Sequence, residues 1–322
     1  LPNYETEIAL ANHPNLRMFQ MPRYGEVDGN KGNGALLKRW QPCTPAFIEK
    51  SGFSAVAYYF GRELLVDLKV PVGIIHSSFG GTMIEAWTPR SALQSDPQLR
   101  ALLQEQYFAW VEGVQASELY QSMIDPIVPY ALRGFIWYQG EANAMNGESS
   151  GYTRKMEALI RGWRTAWDSP AAPFYFVQLA PFNYSAWDKF PAWLTPEGLP
   201  LFREAQTRVL HLPCTGMVVT TDLAGDATDI HPVDKAPIGR RLAHLALAEV
   251  HAREIEEPRS PRFKKAEFLR DGRVRIHFFN TGDKLQKSDP HPLSHFSIAG
   301  INREFVPATA WISGEDTVTV SS

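Results

Sequence analysis

Between Phe53 and Val250 the chain alternates apolar stripes of helical period with short, nearly unbroken apolar runs, in strict turn. Val56, Phe60, Leu64 and Leu68 recur every fourth residue, with Ala57, Gly61 and Leu65 beside them, and predict an amphipathic helix over 53–69. Residues 70–76 follow at once as an apolar run, the signature of a strand buried on both faces. The pattern then repeats with a helix over 97–112, a strand over 133–138, and a helix marked by Tyr152, Met156, Leu159, Ile160, Trp163 and Trp167. A strand over 173–179, a helix over 201–210, a strand over 216–221 and a helix over 233–250 complete it. Strand and helix in turn predict an α/β sheet with helices on both sides.

After Glu257 the period changes. Pro258-Arg259-Ser260-Pro261 punctuates the chain, and the apolar runs beyond it are short and strand-like. Arg270-Asp271-Gly272-Arg273 between two of these runs is a hairpin signal, because Asp-Gly accepts the positive φ of a tight turn. The expectation is an α/β domain over 1–257 and a small β-rich appendage over 258–322. A chain of 322 residues has room for both. The segment 25–34 holds four glycines, but their spacing is not that of a phosphate cradle and no strand feeds into it, so it reads as a loop.

Charge narrows the partners. A net charge of -3 supplies no large positive field for phosphates, which argues against nucleic acid, and no apolar run is long enough to insert in a membrane. Cys43 and Cys214 are too few for a disulfide scaffold or a cysteine zinc site. Nine tryptophans suit either a core or the floor of a sugar site.

In an open parallel sheet, ligands bind beyond the carboxyl ends of the strands. That rule selects four loops: 76–82, 139–143, 178–182 and 222–231. Gly80 and Gly81 offer backbone N–H groups to an oxyanion, or simply a tight turn. Gln139 and Asn143 are amide donors, with loop capping the rival role for Asn143. Asp229-Ile230-His231-Pro232 sets a carboxylate two residues before an imidazole, the arrangement of an oriented general base. Asp222, Asp226 and Asp229 with His231 also count as a set of metal donors, but no second histidine stands at ligand spacing, so no metal is expected. No Gly-x-Ser-x-Gly elbow occurs, and Ser78 is the one serine in these loops at a nucleophile-like place, with a plain turn serine the favoured reading there.

These blocks together resemble the sialate O-acetylesterase family, carbohydrate esterases of the SGNH hydrolase superfamily. The resemblance is carried by residues 53–64, by Ser77-Ser78-Phe79-Gly80-Gly81-Thr82 with Glu85-Ala86-Trp87-Thr88-Pro89, by Trp137-Tyr138-Gln139-Gly140-Glu141, and by Asp229-Ile230-His231-Pro232. It implies a three-layer, flavodoxin-like fold, removal of acetyl groups from sugar hydroxyls by a serine nucleophile and a histidine base, and no cofactor. Carried over, His231 is the base, Asp229 its orienter, Gly80 or Gly81 the backbone oxyanion donor, and Gln139 or Asn143 the side-chain donor. A secreted or periplasmic location is also implied, although Leu1-Pro2-Asn3-Tyr4-Glu5 has no signal-peptide pattern.

Three departures stand out. The acid that commonly stands three residues before the histidine is Thr228 here, which leaves Asp229, Asp226 or Glu141 for the role. Ala142 replaces the serine of a Gly-Glu-Ser-Asn block. The family's Gly-Gln-Ser-Asn nucleophile block, expected just upstream of the segment 4–23, is absent from these 322 residues. The chain therefore reads as a homologue cut short at both ends, with a catalytically inactive carbohydrate-binding homologue as the alternative.

Overall fold

A computed structural model describes residues 3–22, 39–104, 113–186, 194–223 and 226–322. The glycine-rich segment 25–34 and the second half of the helix expected over 97–112 lie outside the described residues. The chain divides into two compact units, Leu1–Arg253 and Glu254–Ser322.

The first unit opens with helix α1 (Tyr4–Leu10), strand β1 (His13–Gln20), strand β2 (Gln41–Cys43) and helix α2 (Pro45–Ser51). None of these was expected from periodicity. The strand-helix alternation then appears: α3 (Ala55–Leu68), β3 (Val72–His76), α4 (Arg90–Ser95), β4 (Phe135–Trp137), α5 (Glu141–Met145), α6 (Gly151–Ala166), β5 (Phe174–Val177), α7 (Gly198–Arg208), β6 (Thr215–Val218) and α8 (Ala236–Val250). Helix α3 starts where Ser54 accepts the Ala57 N–H, a side-chain cap at an otherwise orphan donor.

The stretch expected to form a helix over 97–112 is different. Helix α4 ends at Ser95, and only one 3-10 turn, Arg100–Leu103, follows in the described part. Asp96 precedes Pro97, a position that disfavours helical backbone, and its carboxylate accepts the Gln98 N–H at 2.9 Å. Leu93, Leu99 and Leu102 still bury together with Ala116, so the apolar spacing serves a turn instead of a rod.

The strands form two parallel-containing sheets of three, in the orders β2-β1-β3 and β4-β5-β6. β1 runs parallel to β3, and β4, β5 and β6 are mutually parallel. Alternation along β5 defines the layers. Phe174 and Phe176 enter a core with Leu159, Trp163 and Phe202 from α6 and α7. Tyr175 points to the other face, where its hydroxyl donates to Glu249 on α8. Helices α3 and α8 pack on each other, as do α6 and α7, so the sheets lie between two helical layers. A second core joins Leu16 and Met18 of β1, Ile74 of β3 and Tyr58 of α3.

The second unit is one antiparallel sheet of β7 (Arg262–Phe268), β8 (Val274–Phe279), β9 (Leu293–Ala299), β10 (Phe305–Ile312) and β11 (Thr317–Ser321), ordered β7-β8-β11-β10-β9. The hairpin at Asp271-Gly272 is present, with Gly272 at φ 84°. The two short runs over 304–306 and 309–312 fuse into the single strand β10, bent by an irregular register between Ala308 and Ala310.

Phe174 is fully buried and touches Phe135, Trp137 and Trp163. Phe174→Ala is expected to destabilise the first unit by about 3–5 kcal/mol, measured as a lowered urea midpoint of that unit's tryptophan fluorescence transition.

Candidate active site

The loops leaving β3, β4 and β6 meet at one end of a cleft of about 1150 Å³. Ser78, Gly80, Gly81, Gln139, Glu141 and His231 all line it. Asn143, Asp226 and Asp229 do not, so three of the residues singled out in the sequence support or flank the cleft without facing it.

The turn after β3 leaves open space in front of Gly80, and Gly81 stands at φ 77°, which permits the sharp reversal there. Its shape is held from behind: Thr82 Oγ1 donates to the Phe79 carbonyl at 2.6 Å, and the Trp87 indole N–H donates to that hydroxyl at 2.9 Å. Ser78 Oγ lies 2.5 Å from His76 Nε2, and His76 Nδ1 lies 2.7 Å from Gln20 Oε1. The Ser54 backbone N–H also points at His76 Nδ1, at 3.4 Å, so both ring nitrogens of His76 are engaged.

The turn after β4 needs Gly140, which sits at φ 146° and whose added Cβ would meet Phe202 at 2.9 Å. Gln139 Nε2 donates to the Thr82 carbonyl at 3.0 Å and to Asn143 Oδ1 at 2.8 Å, while its Oε1 accepts from the Tyr152 hydroxyl at 2.9 Å. Asn143 is fully buried. Its Oδ1 also accepts the Ile84 N–H at 3.0 Å, and its Nδ2 donates at 3.1 Å to Glu85 and at 3.1 Å to Glu148. Both amide side chains thus have their donors engaged, and they tie the β3 loop to the β4 loop.

Beneath them Lys155 pairs with both Glu85 and Glu148. One ammonium between the buried carboxylate of Glu85 and the half-buried one of Glu148 faces two acidic groups. Burial, reinforced by the charge of Glu85, pushes Glu148 up from 4.5 to about 7, against the pull of Lys155 and Asn143. Sequence reasoning missed this cluster, although Lys155 interrupts the apolar face of α6 between Tyr152 and Met156, which is a readable signal.

His231 is 84% exposed at its side chain, and its Nδ1 lies 3.4 Å from Asp229 Oδ1. The same carboxylate oxygen accepts the His231 backbone N–H at 2.8 Å. The other two aspartates of the loop face elsewhere: Asp222 pairs with Arg241, and Asp226 accepts from the Thr228 N–H and hydroxyl. Glu141 has its carboxyl raised by burial, with Lys235 and His231 opposing the shift. Lys235, four residues after the imidazole and 5.7 Å over the Tyr138 ring, was also missed; burial lowers its ammonium pKa against the pull of Glu141 and Asp229.

Strand-end loops thus bring the Gly80-Gly81 turn, Ser78 and the imidazole of His231 to one cleft, with Asp229 beside the imidazole. Residues 39–248 match the model of the family described as carbohydrate esterase, sialic acid-specific acetylesterase, and the chain belongs to that family. Its three-layer α/β unit is an SGNH-like fold, and an antiparallel sheet follows it in sequence. A carbohydrate acetylesterase from Xanthomonas citri is similar with a TM-score of 0.77 and 34% identity, over 99% of this chain and 68% of that one. The sialate O-acetylesterase of Rattus norvegicus is 30% identical over 78% of this chain and 53% of its own length. That of Homo sapiens is 32% identical over 60% of this chain and 38% of its own. The chain thus spans about half the length, or less, of these curated relatives. No helix among the described residues is long and apolar enough to cross a membrane.

Because Glu148 holds its proton more tightly in the fold than its ordinary value of 4.5 allows, its contribution to stability is full below pH 4.5 and lost as the pH rises through about 7. In Glu148→Gln the stability measured by urea unfolding is expected to flatten across that window, with the wild type retaining the slope.

Proposed function

We propose that this chain is the catalytic portion of a carbohydrate O-acetylesterase, acting on acetyl esters of sugar hydroxyls, sialic acid among them. The observation that carries the reading is the convergence of Gly80, Gly81 and His231 from separate strand-end loops on one cleft, in a chain of this family. A serine hydroxyl attacks the acetyl carbonyl carbon and passes its proton to His231 Nε2, the nitrogen left available when Nδ1 faces Asp229. The N–H groups of Gly80 and Gly81 hold the tetrahedral oxyanion. Gln139 and Asn143 serve that cradle chiefly by fixing it, and either becomes a direct donor on exchanging one partner. Collapse breaks the bond to the sugar oxygen, which takes the proton from His231. Water then attacks the acyl-serine with His231 as base, acetate leaves, and the serine regains its proton. Asp229 is the orienting acid best supported by distance, with Glu141 contributing charge from the cleft wall.

The nucleophile in this reading is the serine of a Gly-Gln-Ser-Asn block. A second reading makes Ser78 the nucleophile, and its 2.5 Å contact with His76 favours it. Fluorophosphonate labelling separates the two, since an adduct on the 322-residue chain that disappears in Ser78→Ala selects the second. The family resemblance also supports a secreted or periplasmic protein.

With the block fused upstream of Leu1, hydrolysis of p-nitrophenyl acetate is expected to fall about 10³-fold in His231→Ala and about 10²-fold in Asp229→Ala. Turnover that survives His231→Ala unchanged would overturn the reading.

A further inference from the structure

The polar cluster behind the glycine turn has one member that meets water more than the rest. Asn143 is fully buried, the Glu85 side chain has no exposed surface and that of Lys155 is 10% exposed, whereas Glu148, on the connection between α5 and α6, is 20% exposed. A proton exchanging with solvent therefore meets Glu148 first. From there a continuous line of hydrogen bonds runs to the turn after β3. Asn143 Nδ2 donates to the Glu148 carboxylate at 3.1 Å, Gln139 Nε2 donates to Asn143 Oδ1 at 2.8 Å, and the same Nε2 donates to the Thr82 carbonyl at 3.0 Å. The Ile84 N–H also donates to Asn143 Oδ1, at 3.0 Å. Because a backbone N–H only donates, it fixes which end of the amide faces the turn and which faces the carboxylates.

The line responds to charge. A hydrogen bond from an amide to a carboxylate is roughly twice as strong as one to a neutral acceptor. The amide is polarised at the same time, so its oxygen becomes a better acceptor for Gln139 and Ile84. With Glu148 ionised, Asn143 donates to two carboxylates and Lys155 is shared between them. With Glu148 protonated, Asn143 keeps one charged acceptor and Lys155 is left to Glu85. Among the described residues, the titratable groups that face Glu148 are Glu85, from the 3-10 turn Ile84–Trp87, and Lys155 and Tyr152, from α6. Burial and the Glu85 charge put the Glu148 carboxyl at about 7, so both of its states are populated near neutral pH.

We infer that Glu148 is a positioning residue for the oxyanion turn: its carboxylate form tightens the Gly80-Gly81-Thr82 turn through Asn143 and Gln139, and its acid form loosens it. The consequence for catalysis rests on the esterase reading, whereas the coupling from Glu148 to the turn does not. Two effects then oppose each other. The fold is more stable with Glu148 protonated, yet the turn is firmer with it ionised, so rising pH costs global stability while it orders the turn.

Two probes on the 322-residue chain read the turn: exchange of the Ile84 amide, which Asn143 holds, and the Trp87 indole N–H resonance, which reports on the Thr82 hydroxyl. Protection of Ile84, corrected for the intrinsic rate at each pH, is expected to rise about fivefold from about pH 5.5 to about pH 8.5, the margin of a charge-assisted over a neutral hydrogen bond. The indole resonance is expected to titrate with a midpoint of about 7. Glu148→Gln, neutral at every pH, is expected to hold Ile84 at its low protection and the indole signal flat. Wild-type protection that stays constant with pH, or that changes equally in Glu148→Gln, overturns the inference. With the nucleophile block fused upstream of Leu1, kcat for p-nitrophenyl acetate in Glu148→Gln is expected to match wild type at about pH 5.5 and to lie about fivefold below it at about pH 8.5, with KM unchanged. The ratio of the two enzymes cancels any pH effect carried by His231. A ratio equal at both pH values, with the Ile84 response intact, overturns the part of Glu148 in positioning the oxyanion donors. An intact Ile84 response in a wild-type fusion that hydrolyses nothing supports the coupling and counts against the esterase reading alone.

Discussion

The side chain of Asn143 is the interaction on which the site depends. It is buried in the middle of a five-residue helix, and its four hydrogen-bonding positions reach Ile84, Gln139, Glu85 and Glu148. Those partners belong to the turn after β3, the end of β4 and the approach to α6, which share no backbone ladder. A buried polar network of this kind is stable only when every member is satisfied, because each group left unpaired retains its full desolvation cost. Lys155 supplies the charge that lets Glu85 and Glu148 stay beneath the loops. The glycine cradle is therefore positioned by chemistry that lies one layer below it.

That dependence explains how the first unit holds its shape with its strands in two sets. Each set has its own apolar core, one around Phe174 and Phe202 and one around Leu16 and Ile74. The packing of α3 on α8 joins them on one face. Gly239 of α8 makes that approach close, since a Cβ there would meet Tyr59 at 2.6 Å. At the loop end the Gln139 to Thr82 and Asn143 to Ile84 hydrogen bonds do the same work. The cleft is consequently bounded by rigid elements on its faces and at its functional mouth.

Much of this was legible in the chain because the signals are local. The stripe of Val56, Phe60 and Leu64 and the apolar runs ending at His76 and Trp137 report burial residue by residue, and α3, β3, β4, α6, β5, α7, β6 and α8 followed from them. The rule that loops at strand carboxyl ends carry function selected Gly80, Gly81 and His231, which line one cleft. β1 was missed because His13–Gln20 mixes charge and apolar residues, and only pairing with β3 and β2 makes it a strand. The engagement of Asn143 was missed for a related reason. Its partners Glu85 and Glu148 lie 58 and 5 residues away, and nothing local distinguishes a free amide from a buried crosslink.

The two halves of the proposed catalytic apparatus are built on different footings. His231 and Asp229 belong to one turn, where a single carboxylate oxygen accepts the backbone N–H and stands beside Nδ1. That orientation is set by residues two apart in sequence and needs no tertiary support. The Gly80-Gly81 cradle has the opposite dependence, since its backbone is aimed by Thr82, Trp87, Gln139 and the buried charges behind Asn143. Damage to the core therefore reaches the oxyanion donors before it reaches the base. Transition-state stabilisation, which requires donors fixed to within about 0.5 Å, is the part of the chemistry that the fold as a whole must hold in place.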